Sequence, residues 1–335
     1  MKIVCYGVRP IEEPYFEKLN KYDFDLKLVT EFLTDDNVDE AEGMDAVLIR
    51  GNCAASAKNL KIFAEDYGIK YVFTRSVGYN HIDLKAAKEL GIQIARVPNY
   101  SPYAVAELAM TLGMQMFRHT NIATIDSAAG NFTVTPDLFS KEIHSSTVGI
   151  IGAGKIGTAE AKLYDGMGTK VLASDSHPSK HAAEYVEFKS LDEVLATSDI
   201  VSIHIPYFPG ENENFVDAEF LKKMKKSAVL VNTARGEIAD TKAIMEAVKN
   251  GEIAGYAGDV VIDEKDIMGH KFDSVDDIPN AEVRELAKLY PKVILTPHMG
   301  SFTEPALEDM ISISFENFHE TFTNGTNKNV LEYQV

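Results

Sequence analysis

The sequence predicts an α/β protein made of two doubly wound, parallel-sheet domains. Short apolar runs alternate with helix-like stretches along the chain, which is the pattern of strands joined by crossover helices. At 335 residues the chain is too long for one small core and fits two domains. A glycine-patterned strand–turn–helix begins only at Thr147, after five strand-like runs, so it opens a second unit.

In order, strands are expected at Lys2–Val8, Leu26–Thr30, Ala46–Arg50, Tyr71–Arg75 and Gln93–Val97, with helical stretches such as Ala57–Tyr67 and Leu84–Leu90 between them. A long helix opens near Ser101-Pro102, where Ser can cap and Pro suits the first helical position, and runs from Ala104 to His119. From Thr147 the second unit continues through Asp199–Ile205, Ala228–Asn232, Ala254–Asp259 and Val293–Thr296. The acidic region Asp263–Val283 reads as an irregular surface loop, and a last helix, Glu304–Phe322, returns to the first domain. The expected domains are therefore 1–100 plus 300–335, and 101–299, with an interdomain cleft as the ligand site.

The most informative stretch is TVGIIGAGKIGTAEAKLYDGMGTKVLASD, residues 147–175. Gly152, Gly154 and Gly157 form G-x-G-x-x-G between an apolar run and an amphipathic helix, and Asp175 ends the next apolar run. Gly152 lets the chain turn off the strand, Gly154 lets backbone approach a pyrophosphate, and Gly157 lets the helix pack on the strand. The helix N-terminus offers N–H groups to the anion, and the acid accepts hydrogen bonds from ribose hydroxyls. This is a Rossmann-like dinucleotide site. Asp175 repels a 2′-phosphate, and Ser176, His177, Pro178 and Ser179 follow it with no Arg, which favours NAD over NADP.

A net charge of −18 argues against nucleic acid or an anionic membrane surface as partner. It also draws attention to the seven arginines. Cys5 and Cys53 form no disulfide framework. The N-terminal MKIVCYGV reads as a strand rather than a signal peptide, and no apolar run approaches the ~20 residues of a membrane span. A cytoplasmic location is the simple reading. His177 and His181 stand four apart, but Pro178 lies between them and no third ligand is obvious, so no metal is expected. Lys222 to Lys226 reads as a solvated helix end.

Three stations near the ends of expected strands carry chemistry: Asn232-Thr233-Ala234-Arg235-Gly236, Asp259 to Glu264, and Thr296-Pro297-His298. In open α/β sheets ligands bind outside those strand ends. Arg offers a planar fork for a carboxylate, His gives and takes a proton near neutral pH, and a carboxylate on its far nitrogen orients it. Arg235, Glu264 and His298 together suit hydride transfer to a 2-keto acid.

With these motifs in this order, the chain resembles the NAD-dependent D-2-hydroxyacid dehydrogenase family over essentially its whole length. The likeness also rests on Arg75 to Asp83 (RSVGYNHID), Tyr100-Ser101-Pro102 and His204-Ile205-Pro206. The resemblance implies that Arg235 binds the substrate carboxylate, His298 is the acid/base and Glu264 pairs with it. Backbone at Val77 and Gly78, with Tyr100, falls on the substrate. Lys155, Ile156, Asp175, Pro206, Asn212, Thr233, Ala234 and Asp259 fall on NAD. It further implies a homodimer, paired partly through the helix after Ser101-Pro102, and a small anionic 2-keto or 2-hydroxy acid as partner.

Where the lactate branch tends to carry an aromatic, this chain has Arg50, and Met299, Gly300, Ser301 and Phe302 follow His298 in place of bulky residues. Arg50 reads as a second anion contact for a distal carboxylate. The branch most resembled is therefore (R)-2-hydroxyglutarate dehydrogenase, which interconverts 2-oxoglutarate and its hydroxy acid. D-lactate and D-2-hydroxyisocaproate dehydrogenases come next. The competing reading of Arg50 is a surface or interdomain ion pair, and Arg75 is open to the same structural reading. An NAD(H)-gated interaction protein of the corepressor type is the alternative of another class, against which the intact Arg235, Glu264 and His298 set argues.

Overall fold

The computed structural model describes residues 1–332. The chain divides into two compact units, Met1–Ser101 with the chain from Phe302 onward, and Pro102–Ser301.

The first unit holds five parallel strands, β1 Lys2–Tyr6, β2 Asp25–Val29, β3 Ala46–Ile49, β4 Tyr71–Thr74 and β5 Gln93–Arg96, in the order β2-β1-β3-β4-β5. A sheet covered on both faces needs apolar residues on both, which is why AVLI of β3 is wholly buried. Val4, Val47 and Val72 face Leu60 and Phe63 of the helical segment from Ala57 to Asp66. Ile3, Cys5, Leu48 and Phe73 face the closing helix Glu304–Asn324, where Phe73 stacks on Phe318 at 4.4 Å between centroids. Each such fully buried side chain contributes roughly 1.5–3 kcal/mol relative to exposure, so this aromatic cluster fastens the last helix to the first sheet.

The second unit holds seven parallel strands: β6 Thr147–Ile151, β7 Lys170–Ser174, β8 Glu187–Phe188, β9 Ile200–Ile203, β10 Val229–Asn232, β11 Gly255–Gly258 and β12 Val293–Leu295. Their order is β12-β11-β10-β9-β6-β7-β8. The strand order reverses between β6 and β9, where doubly wound sheets open a ligand crevice. Helix Pro102–Phe117 packs Ala109, Leu112 and Met116 against Val148, Ile150 and Ile200, and Val201 and Ile203 face the helices on the other side.

Three elements depart from the sequence expectation. The long helix stops at Phe117 because His119 takes a left-handed conformation, φ 54°, and a second helix, Thr120–Ala128, follows. The two-residue β8 is too short to leave a periodic signal. The acidic loop expected to reach Val283 already contains a helix, Ala281–Ala287. Asn280 caps it by accepting from the N–H groups of Glu282 and Val283, and Val283 and Leu286 are buried beneath it.

Candidate active site

The glycine turn lies where β6 meets the helix Lys155–Gly166. Gly152 has φ +93°, and a Cβ there would stand 2.9 Å from the backbone of His204, so both conformation and space require glycine. At Gly157 a Cβ would collide with the Gly152 carbonyl. Gly154 differs, since a Cβ there would meet nothing within 4 Å. Its bare face borders a cavity of about 500 Å³ that Ala153, Lys155, Asp175, His177 and Tyr185 also line.

Asp175 follows β7. Its Oδ2 accepts from Ala153 N at 2.7 Å and its Oδ1 from His177 N at 2.6 Å. These bonds fix the carboxylate at the mouth of the turn and leave each oxygen lone-pair capacity for a ribose hydroxyl. Thr233, just past β10, has a buried hydroxyl with no partner among the described residues. An open face at Gly154, a fixed acid and an unpartnered hydroxyl fit a dinucleotide. Lys155 and Ile156 open the helix after the turn, and Ala234 follows Thr233. Pro206 and Asn212 lie in the loop after β9, where the Asn212 amide accepts from Phe208 N and donates to Pro206 O, closing the loop on itself.

Asp175→Ala with Ser176→Arg is expected to raise NADPH use relative to NADH, because repulsion of the 2′-phosphate is relieved and the ribose contact is lost. Steady-state kinetics with both cofactors measures this. An unchanged NADH/NADPH ratio would remove Asp175 from the ribose.

β10, β11 and β12 are neighbours, so their C-terminal ends lie side by side. Arg235 follows β10 in an extended conformation, with Nη1 donating to Ala234 O at 2.7 Å. Asn232, buried, accepts from Ala234 N and donates to Arg235 O, which shapes the loop around the guanidinium. Gly236 lies so close to the backbone of Val261 and Ile262 that any Cβ would clash. Glycine after Arg235 thus lets the loop after β10 pack on the loop after β11. Glu264 stands in that second loop and accepts from Val261 N through Oε1. Its Oε2 is 2.8 Å from His298 Nδ1, which leaves Nε2 of the imidazole for a reactant. Both side chains are partly exposed.

His298 takes φ +51°, which non-glycine residues rarely adopt. Asp259 holds it there. The buried Asp259 carboxylate accepts from Thr296 Oγ1 at 2.6 Å and Met299 N at 2.9 Å through Oδ1, and from Gly300 N at 2.8 Å through Oδ2. These bonds bracket His298 from both sides. Both oxygens of a residue expected on the cofactor are thus engaged by the histidine loop.

Val77 and Gly78, in the first unit, follow β4. Arg96 Nη1 donates to Val77 O at 2.9 Å and Ser76 Oγ to Gly78 O at 2.8 Å. With their carbonyls held, neither N–H has an acceptor among the described residues. Consecutive unpaired N–H groups are suited to an anion. Tyr100 is half-buried at the end of the first unit's leading segment.

Arg75 and Arg50 differ in setting. Arg75 is buried, and its Nη2 donates to Gly7 O and to Glu12 Oε2, each at 2.8 Å. Arg50 is 19% exposed, and its polar contacts among the described residues are long, 3.4 Å to Gly7 O and 3.8 Å to Glu12 Oε1. Burial, with Arg75 and Arg9 nearby, pushes its guanidinium down to about 10.

Sequence reasoning missed Glu12, a buried carboxylate among the guanidiniums of Arg9, Arg50 and Arg75, and Glu160 on the nucleotide helix. Glu160 is fully buried, with Oε2 at 2.5 Å from His204 Nε2. Its signal was faint: a single acid on the inward side of the helix that carries the glycine turn.

Residues 110–300 match the family described as D-isomer specific 2-hydroxyacid dehydrogenase, NAD binding domain. An aromatic 2-oxoacid reductase of Clostridium sporogenes is 35% identical over 98% of both chains. A D-lactate dehydrogenase of Lactiplantibacillus plantarum is 34% identical over 95% of both. The solved NAD-complexed D-isomer specific 2-hydroxyacid dehydrogenase of Lactobacillus delbrueckii ssp. bulgaricus has a TM-score of 0.84 and 35% identity, covering 99% of this chain and 100% of that one. Fold, nucleotide turn and the sequence relationship along nearly the full length agree, and the chain belongs to the NAD-dependent D-isomer specific 2-hydroxyacid dehydrogenases.

Proposed function

We propose that this dehydrogenase acts on a 2-keto acid with a second, distal carboxylate, interconverting 2-oxoglutarate and (R)-2-hydroxyglutarate. The observation that carries this reading is Arg50, a mostly buried guanidinium whose carboxylate partner among the described residues, Glu12, is 3.8 Å away and already bound to Arg75. A distal carboxylate that leaves water without a partner is costly, and a charge-assisted bond to guanidinium offsets that cost.

In this reading Arg235, with the N–H groups of Val77 and Gly78, holds the carboxylate next to the carbonyl, and Tyr100 lies alongside. Bound NADH supplies the hydride that reaches the carbonyl carbon. His298 gives its Nε2 proton to the carbonyl oxygen as charge develops there, and takes one from the hydroxyl in the reverse direction. Glu264 holds Nδ1 and so keeps Nε2 aimed at the reactant. Gly152, Gly154, Gly157, Lys155, Ile156, Asp175, Pro206, Thr233 and Ala234 form the cofactor's bed.

Arg50→Leu is expected to lower kcat/KM for 2-oxoglutarate by a factor corresponding to roughly 2–5 kcal/mol. Small apolar keto acids should be unaffected or improved, and NADH affinity unchanged. Equal damage to 2-oxoglutarate and 2-ketoisocaproate kinetics would defeat the dicarboxylate reading in favour of an apolar 2-keto acid.

We also infer a homodimer that pairs through the second unit. Phe132, Val134 and Phe139 are almost fully exposed on one short segment, next to the half-exposed Ile125. Such a concentration of apolar surface marks an interaction face. Light scattering should give twice the chain mass, and Phe132→Ser with Phe139→Ser should halve it. A monomeric parent protein would end this inference.

A further inference from the structure

The first unit contains an imbalance of charge that the reaction scheme above does not use in full. Glu12 is buried and faces three arginines. Its Oε2 accepts from Arg75 Nη2 at 2.8 Å and from Arg9 N at 3.2 Å. Its Oε1 lies 3.5 Å from Arg9 Nη1 and 3.8 Å from Arg50 Nη1. One carboxylate thus serves three guanidiniums that offer about fifteen N–H donors between them. Acceptors are short as well as charge, because Arg75 Nε is buried with no partner among the described residues.

The three arginines are not equivalent. Arg75 sits at the distance of a charge-assisted bond, about 2.7–2.9 Å, and is enclosed. Arg9 and Arg50 share one carboxylate oxygen at longer range, so neither is saturated. Arg9 is 39% exposed and its guanidinium lies over the ring of Phe302 at 4.2 Å, which fixes its plane. Phe302 is the residue at which the chain returns to the first unit. The Arg50 stem passes Gly7 so closely that a Cβ there would stand 2.8 Å from Arg50 Cδ. Both guanidiniums are therefore held in place while their donors remain under-used. Burial and the neighbouring Arg75 also lower the proton affinity of Arg9 and Arg50, as expected for like charges awaiting an anion.

We propose that Arg9 is a second specificity-determining residue, and that Arg9 and Arg50, anchored by Glu12, form one built site for the distal carboxylate of the substrate. This rests on the dicarboxylate reading of Arg50. Two guanidiniums that already share one carboxylate oxygen are close enough to share the oxygens of a second carboxylate. The ligand class is a planar carboxylate carried on a short chain.

The test uses Arg9→Met and Arg9→Lys in the full-length protein. Arg9→Met is expected to raise KM for 2-oxoglutarate by about tenfold or more, the loss of one charge-assisted contact. Its kcat, its kinetics with 2-ketoisocaproate and its NADH affinity should stay as they are. Glutarate, which has both carboxylates and no carbonyl, should weaken as a competitive inhibitor by the same factor. Arg9→Lys, which keeps charge without the planar fork, should fall between. An unchanged KM for 2-oxoglutarate in Arg9→Met overturns the inference, as does equal loss with both substrates, which would make Arg9 a structural partner of Glu12. If Arg50→Leu is selective and Arg9→Met is not, only this inference fails. If neither is selective, the dicarboxylate reading fails with it.

Discussion

His298→Gln is expected to bind NADH as the parent protein does and to lose about 10²–10⁴-fold in kcat, the usual worth of a positioned general acid. Gln fills similar space and can keep a hydrogen bond to Glu264, whose Oε2 lies 2.8 Å from His298 Nδ1, but its amide N–H is too weak an acid to serve as the proton donor. Stopped-flow NADH binding and steady-state turnover measure the two halves separately. A variant with near-parental kcat would remove His298 from the mechanism.

Asp259→Ala carries the second large effect. The carboxylate accepts three hydrogen bonds from Thr296, Met299 and Gly300, and these hold His298 at φ +51°. Without it, the Thr296 hydroxyl and the N–H groups of Met299 and Gly300 lose their acceptor, at about 1–3 kcal/mol for each that stays buried and unsatisfied. The loop then relaxes and the imidazole moves. A displacement of about 1 Å is enough for a 10²-fold loss of rate. We expect kcat to fall about that much with a lower Tm, while NADH affinity changes little, because both oxygens face the histidine loop. Asp259→Asn should fall between, since its amide keeps one acceptor but sets an N–H against a donor. A variant that loses NADH affinity and keeps kcat would instead make Asp259 a cofactor contact.

The fold class was legible because each of its signals is local. Apolar runs such as AVLI in β3 must be strands buried on both faces, and the glycine turn announces itself by spacing within six residues. Strand-end positions and the chemistry of hydride transfer suggested grouping Glu264 with His298, and resemblance to a family implied their pairing, since the residues are 34 apart and nothing local joins them. Helix Ala281–Ala287 was missed because its acidic surroundings masked a two-residue buried face, Val283 and Leu286, set by a cap at Asn280.

The sequence by itself determined the two parallel-sheet units, the nucleotide turn and the choice of NAD, because chain direction, glycine and a fixed acid act over short stretches. Only the tertiary structure decided what each charge faces. Arg75 and Arg50 look alike in sequence, each at the end of a strand. The fold closes one on Glu12, 63 positions away, and leaves the other at longer range. Asp259 could serve a cofactor or a loop, and neighbouring strands β11 and β12 turn its carboxylate onto the residues around His298. Glu160 reads as an ordinary helical acid until β9 brings His204 against it. A charge is specified by the partner that compensates its lost hydration, and that partner comes from another strand or helix, so its identity exists only once the sheet has been assembled.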